Sequence, residues 1–482
     1  MAEVMGGWAR PQISQWVDDA ATRWPEAVAV TTPAGDSALT FTDLARNAVR
    51  AAADLEFIAP GDRVGVVMRR LPRTVEWLFA VWSRHATVVP FAPSLGRRQL
   101  QHRLAAVDIC AMLDPAADDP VRWREGCVGS ETRHRLDPHV PLIMFTSGST
   151  GDPKPVQITH RNLRSAAVAN SDRVTGGPET VWFDPLPLEH MGGLMPVIRA
   201  PLYGMSTVID ADFDPSVLSA RIERSGGTAI SLVPTMLRRW LEAARTIPPQ
   251  LEAVLVGGDA APAALVRHAL SRGMPLYVTY GMTETTSQIA TATPEMLAAD
   301  ARTVGPPVGG LEVRALDADG SPSGVGQVGK LVVDGPMLTP GYLDGDRGAF
   351  TDYGLMTGDE GCIDAEGWLR IGGRLGRRII TGGETVDPRV TEQVLTDLSW
   401  VRSAWVTGVE DQIWGERVIA AVTPRSPPDL DEALVAIAAD LDTAHRPREI
   451  HIIDGLARTP SGTVDTVAMR SRIRARDPEW HA

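Results

Sequence analysis

Apolar positions recur at helical spacing near the start of the chain, first at Ile13, Trp16, Val17 and Ala20 and again at Phe41, Leu44, Ala45 and Val49. Between them, 27–31 reads as a short strand. A second strand is expected over 63–68, a helix around 75–82 and a further strand at 87–90. Short apolar strands that alternate with helices predict an α/β unit built on a largely parallel sheet. The segment 114–137 is polar, rich in Pro and Arg and weakly patterned, which predicts an irregular surface connection. The alternation then resumes, with strand-like runs at 141–145, 181–183, 207–209, 229–233 and 253–256. Over 305–345 the pattern shifts to short strands with Gly/Asp turns, as in LDADGSPSG and VGKLVVDGP, which predicts an antiparallel or barrel-like part. From 388 onward a helix, strands at 404–409 and 418–422, a helix at 431–442 and a strand at 450–453 form an α+β unit. The expected fold is therefore a large α/β N-terminal domain over 1–375, of mixed and mostly parallel sheets, followed by a smaller α+β C-terminal domain over 376–482.

Composition narrows the function. At 482 residues the chain is long enough for more than one domain. A net charge of −13 argues against nucleic acid or an anionic membrane as the main partner. Cys110, Cys127 and Cys362 lie far apart without a C-x-x-C pair, so neither a disulfide framework nor a zinc site is expected. The N-terminus has no basic flank leading into an apolar stretch, and no apolar run approaches the ~18 residues of a membrane span. A cytoplasmic enzyme or binding protein is the expectation. Of 47 basic residues only Lys154 and Lys330 are lysines, so a lysine kept at 154 draws notice.

Lys154 belongs to the densest motif in the chain, FTSGSTGDPKPV over 145–156. Gly148 and Gly151 let the backbone turn tightly and point N–H groups at an anion. The hydroxyls of Thr146, Ser147, Ser149 and Thr150 add donors, and Lys154 adds a point charge suited to phosphate. With the apolar run 141–145 before it, this is a strand followed by a polyphosphate-binding loop. The Walker spacing G-x-x-x-x-G-K-[ST] is absent.

TSGSTGxPK resembles the phosphate loop of the acyl-adenylate-forming (ANL) superfamily, which comprises acyl-CoA synthetases, adenylation domains and luciferases. YGMTET at 280–285, TGD at 357–359, GR at 373–374 and GGETVDP at 382–388 match that superfamily in the same order. The resemblance implies an AMP-forming ligase that uses ATP and Mg²⁺. It implies that Thr146, Ser147, Gly148, Ser149, Thr150, Gly151 and Lys154 cradle the β- and γ-phosphates. Gly257, Gly258 and Asp259 would approach adenine, with Tyr280 stacked on it beside Gly281 and Met282. Thr283 would contact the α-phosphate, Glu284 would hold the metal, Asp359 would take the ribose hydroxyls and Arg374 would follow on the ribose and phosphate side. One carboxylate suffices for a metal that keeps phosphate oxygens and water. LPLEHMGGLMPVIRAPLYGM at 186–205 is similar to the o-succinylbenzoate-CoA ligase branch, which implies that Arg199 helps bind a substrate carboxylate, with His190 and Glu189 beside it.

Four positions depart from the pattern. Asp152 and Pro155 stand where many relatives carry Lys and Gly. Glu189 stands where an aromatic residue is frequent, so a more acidic pocket is expected. In the closing motif, Arg458-Thr459-Pro460-Ser461-Gly462 is followed by Thr463 where the family carries a lysine that bridges acid and α-phosphate. An engineered substitution, a weaker electrostatic clamp or loss of ligase activity would each account for it. Gly376, at the hinge position two residues after Arg374, permits domain rotation. The leading reading is a ligase that adenylates a small anionic or aryl acid and passes it to CoA or a carrier-protein thiol. Two alternatives stand beside it: a diazotase that activates nitrite for transfer to an aryl amine, and a nucleotide-binding pseudoenzyme.

Overall fold

The computed structural model describes residues 12–481 apart from 96, 124–135, 147–152, 375–378, 382–383, 412–413, 442–443 and 460–463. Among the described residues no helix is long and apolar enough to cross a membrane. Runs such as Leu142–Phe145, Ala229–Leu232 and Ala253–Val256 are apolar or small at nearly every position because they are buried on both faces. Covered parallel strands require this. They supply two sheets. The first has eight strands in the order Ser287–Ala292, Leu276–Met282, Ala253–Val256, Ala229–Leu232, Val181–Asp184, Ser206–Ile209, Val28–Thr31 and Leu39–Thr40. Its six central strands run parallel and both edge strands are antiparallel.

The second sheet has six strands in the order Val121–Trp123, Ala111–Leu113, Arg63–Val67, Thr87–Phe91, Leu142–Phe145 and Pro155–Ile158. Its centre is parallel and its edges antiparallel. Part of the segment expected to be irregular, 114–137, thus supplies an edge strand. Three residues alternating around Arg122 are too few to show a period of two. The helix expected at 75–82 begins earlier, as Pro72–Ser83, because Pro72 is preset for a first helical position.

Between 312 and 374 the chain forms the expected antiparallel part: Glu312–Leu316, Gly329–Asp334, Phe350–Thr351, Gly354–Ile363 and Leu369–Arg374 make one five-stranded sheet. A fourth sheet starts at Ile379–Thr381 and is centred on the long pair Val401–Asp411 and Gly415–Pro424. The helices Pro388–Asp397 and Leu430–Asp440 pack on it through a separate core of Leu395, Val406, Ala433, Ile437 and Ile450.

One helix is unusual in composition. Met191–Tyr203 contains Pro196 and Pro201 and is nevertheless buried along most of its length. Proline removes an N–H and leaves an upstream carbonyl without its helical partner. Gly204 ends the helix in the left-handed region at φ 68°, where its N–H reaches the Ala200 carbonyl.

Candidate nucleotide and acid sites

Leu142–Phe145 and Pro155–Ile158 pair antiparallel, so the phosphate motif is the connection of a hairpin. Its mouth is closed twice. The Thr146 amide donates to the Lys154 carbonyl at 3.0 Å, and the Lys154 amide donates to Thr146 Oγ1 at 3.0 Å. Ser147, Gly148, Ser149, Thr150 and Gly151, together with Asp152, lie outside the described residues. Lys154 Nζ donates to Asp346 Oδ2 at 2.6 Å and sits 5.0 Å from the centre of the Tyr342 ring. The bond to Asp346 raises the Lys154 pKa and lowers that of Asp346. The Lys154 ammonium is therefore paired with the Asp346 carboxylate.

Tyr342 carries the connection one step further, since its hydroxyl donates to Glu284 Oε1 at 2.8 Å. Burial, followed by the charge of Glu284, pushes the Tyr342 hydroxyl pKa upward, so it remains a donor throughout the neutral range. Glu284 lies in the 3₁₀ turn Thr283–Thr285 and is buried, and its carbonyl accepts from the Thr339 amide at 2.7 Å. Oε2 has no hydrogen-bond partner among the described residues. A fixed carboxylate with one oxygen to offer fits a Mg²⁺ ion that is otherwise held by phosphate and water. The backbone after it is strained, with Thr286 at φ 57° and Ser287 at φ 123°. Gly281 is required by packing: a Cβ there would lie 1.6 Å from the Ser287 carbonyl oxygen.

Tyr280 and Asp359 meet, with the tyrosine hydroxyl donating to Asp359 Oδ2 at 2.8 Å. Asp359 is buried and pairs across the antiparallel sheet with Arg374, which is described through its backbone alone. Gly257 and Gly258 follow Ala253–Val256, and Gly258 adopts φ 82°. A side chain at 257 would run into Thr279, 2.6 Å away. Asp259 Oδ2 stands 3.9 Å from Arg458 Nη1, which links the adenine-side loop to the closing motif. Thr463 and the hinge residue Gly376 lie outside the described residues.

The acid side forms a second group. His190 precedes the helix Met191–Tyr203, and burial, then the charge of Arg103, lowers its pKa to about 4. Glu189 faces Arg70 and Arg103, while burial raises its own pKa. The charges of Arg70 and Arg103, both felt by Glu189, offset part of the acidity expected from it. Arg103 lies over the Phe145 ring at 4.9 Å, and no local motif marks it.

Arg199 is 3% exposed and stacks on Trp182, 3.9 Å from the ring centre. Its Nε and Nη2 are buried without a hydrogen-bond partner. Burial lowers its pKa to about 9, so the guanidinium remains charged at neutral pH. Asp184, fully buried, lies near enough for each to feel the other's charge. Tyr342, Asp346, Arg103 and Asp184 all escape sequence reasoning.

A mixed parallel domain joined to a small α+β unit, with a phosphate hairpin, a buried metal-type carboxylate and a ribose-type aspartate, defines a nucleotide-dependent adenylating enzyme. The chain belongs to the AMP-binding enzyme family: the family model matches residues 17–343, and that of the AMP-binding enzyme C-terminal domain matches 391–463. It is 31% identical over 477 residues to the 2-succinylbenzoate–CoA ligase of Bacillus pumilus, covering 95% of this chain and 97% of that one. With the Geobacillus kaustophilus ligase of the same name it shares 36% identity over 327 residues, 66% of each. The Bacillus subtilis o-succinylbenzoate CoA synthetase in complex with its acyl-adenylate intermediate superposes with a TM-score of 0.84 at 26% identity, covering 97% of this chain and 99% of that one. The same enzyme with ATP and magnesium ion also gives 0.84 at 26% identity, over 95% and 99%. The protein is an AMP-forming adenylating enzyme.

Proposed function

We propose that this enzyme uses ATP and Mg²⁺ to adenylate a small aryl acid and then passes the acyl group to CoA. The observation that carries this reading is Arg199, a buried cation stacked on Trp182 whose Nε and Nη2 have no hydrogen-bond partner. A desolvated guanidinium left without hydrogen bonds costs several kcal/mol. A polar group on a ligand, held against an aromatic wall, would remove that cost. The names of the similar ligases support the acid and the acceptor, and support the acyl reading over nitrite activation.

In this reading the hairpin loop from Thr146 to Lys154 takes the β- and γ-phosphates, and Lys154 exchanges Asp346 for phosphate. Gly257, Gly258, Asp259, Tyr280, Gly281 and Met282 frame the adenine, Thr283 meets the α-phosphate, and Asp359 with Arg374 holds the ribose. Mg²⁺ would be held by Glu284 and would neutralise charge as pyrophosphate leaves. His190 and Glu189, with Arg103, line the acid's path. Thr463 brings no charge to the α-phosphate, so more of the clamp falls on Lys154 and the metal site. The unit 376–482 rotates about Gly376 to exchange the adenylation and thioester-forming arrangements.

Pyrophosphate release, measured over a panel of aryl acids and over nitrite with aryl amines, tests this. Release with an aryl acid, followed by a CoA thioester seen by mass spectrometry, is expected. Turnover only with nitrite and an amine would overturn the reading.

A further inference from the structure

Lys154 is held by a carboxylate 192 positions further along the chain. Over 341–348 the backbone runs beside Pro155–Ile158 and is tied to it. The Gln157 amide donates to the Gly341 carbonyl at 3.1 Å, and the Leu343 amide donates to the Pro155 carbonyl at 2.8 Å. Gly345, at φ 78°, then turns the chain, and the Asp346 amide donates to Asp344 Oδ1 at 3.0 Å. This turn presents Asp346 with its two oxygens divided. Oδ1 accepts from the Gly348 amide at 2.8 Å, while Oδ2 accepts from Lys154 Nζ at 2.6 Å. The neighbouring cation, Arg347, is directed elsewhere, with Nη1 on the Pro340 carbonyl at 2.9 Å and the guanidinium 4.1 Å from the Phe350 ring centre. Lys154 feels two further negative charges, those of Asp344 and Glu284.

The Lys154 and Asp346 side chains are 46% and 39% exposed, so water screens their attraction and the pair is weak enough to be exchanged. A polyphosphate brings several charges to the lysine where Asp346 brings one. Pyrophosphate cut loose from AMP has also lost the contacts of the nucleoside part, and competes for the lysine on poorer terms than ATP. We propose that Asp346 competes with phosphate for Lys154, holding the lysine while the β- and γ-phosphate positions are empty and retaking it as pyrophosphate leaves. This rests on the assignment of the hairpin loop to the β- and γ-phosphates above. Asp346 acts through Lys154 and is a positioning residue that keeps pyrophosphate binding weak. AMP lacks both of those phosphates, so its binding is indifferent to the exchange.

Calorimetric binding of pyrophosphate, ATP and AMP to the full chain, with Mg²⁺ present, tests this in wild type, Asp346→Asn, Lys154→Gln and the double variant. Asparagine keeps an Oδ1 acceptor for the Gly348 amide and removes the charge that holds Lys154. Asp346→Asn is expected to bind pyrophosphate and ATP about 3-fold more tightly, within the range of an exposed ion pair, and to bind AMP as wild type does. In the Lys154→Gln background the same change is expected to give little gain, since no lysine is left to release. Unchanged or weaker pyrophosphate binding in Asp346→Asn, an equal gain for AMP, or a gain of the same size in the Lys154→Gln background overturns the inference. Lys154→Gln alone is expected to weaken pyrophosphate and ATP binding. If it leaves both unmoved, the assignment of the loop to the phosphates falls first and takes the inference with it.

Discussion

Glu284 and Tyr342 show how little of a site one residue determines. Glu284 supplies a carboxylate, but its direction is set by a hydroxyl 58 positions away. Glu284→Gln is expected to keep the fold and cut pyrophosphate release by ~10²-fold or more, since charge stabilisation of a leaving phosphate is worth several kcal/mol. Tyr342→Phe removes the orienting bond alone, about 1.5 kcal/mol for a hydrogen bond to a charged group. It is expected to raise the Mg²⁺ concentration for half-maximal activity by ~10-fold, with a smaller change at saturating metal. An unchanged Mg²⁺ dependence in Tyr342→Phe would remove the tyrosine from the positioning role. The YGMTET motif singles out Glu284 in the sequence. Tyr342 stayed hidden because its partner lies on another segment of the chain.

At the scale of elements, the helix His160–Arg173 is capped at its start by Thr159, whose side chain accepts from the Asn162 amide. His160 is the first residue of that helix and ties it to the N-terminal helix Ile13–Arg23, because the Ile13 amide donates to His160 Nδ1 at 3.2 Å. Burial lowers the His160 pKa to about 4, against ~6.5 in an unfolded chain. Between those values the unfolded state binds more protons than the folded state. The stabilisation is therefore complete above pH ~6.5 and is lost as pH falls toward 4. Inside this window His160 accounts for a loss of up to about 1.4 kcal/mol per pH unit. His190, also held near 4, adds to the same slope. Urea unfolding of His160→Gln at pH 7 and pH 5 should show a smaller drop in stability between the two than wild type shows. Equal drops would mean that His160 is already protonated in the folded protein.

Across the whole molecule, the contacts between the two units include two long and partly exposed ion pairs, Arg458–Asp259 at 3.9 Å and Arg267–Asp397 at 3.8 Å. Such pairs contribute about 0–1 kcal/mol and are screened by salt, so they do not lock the units together. In the proposed cycle Gly376 is the point about which the chain would reorient. Gly376→Pro is expected to hold one orientation, preserving one half-reaction and stalling the other. ATP–pyrophosphate exchange reads the first half-reaction, and thioester release from a preformed adenylate reads the second. If both survive unchanged, the cycle needs no rotation at that position.

The parts legible from sequence were those written in contiguous residues. Doubly buried parallel strands are continuous apolar runs, so 141–145 and 253–256 announced themselves, as did the shift to Gly/Asp turns after 305. The nucleotide motifs stand out for the same reason, because a backbone proposed to wrap a phosphate carries its glycines and hydroxyls side by side. Edge strands such as Val121–Trp123 are too short to carry a period, and their partner alone defines them. Nothing along the chain could pair Lys154 with Asp346, bring Arg103 to Glu189, or lay Arg199 on Trp182 near Asp184. Those residues carry ordinary charges and rings at unremarkable spacings, and acquire meaning only when folding removes water from between them. Desolvation is a property of the packed whole. Local sequence therefore marks the nucleotide motifs, whereas the surroundings of Arg199 are decided by tertiary structure.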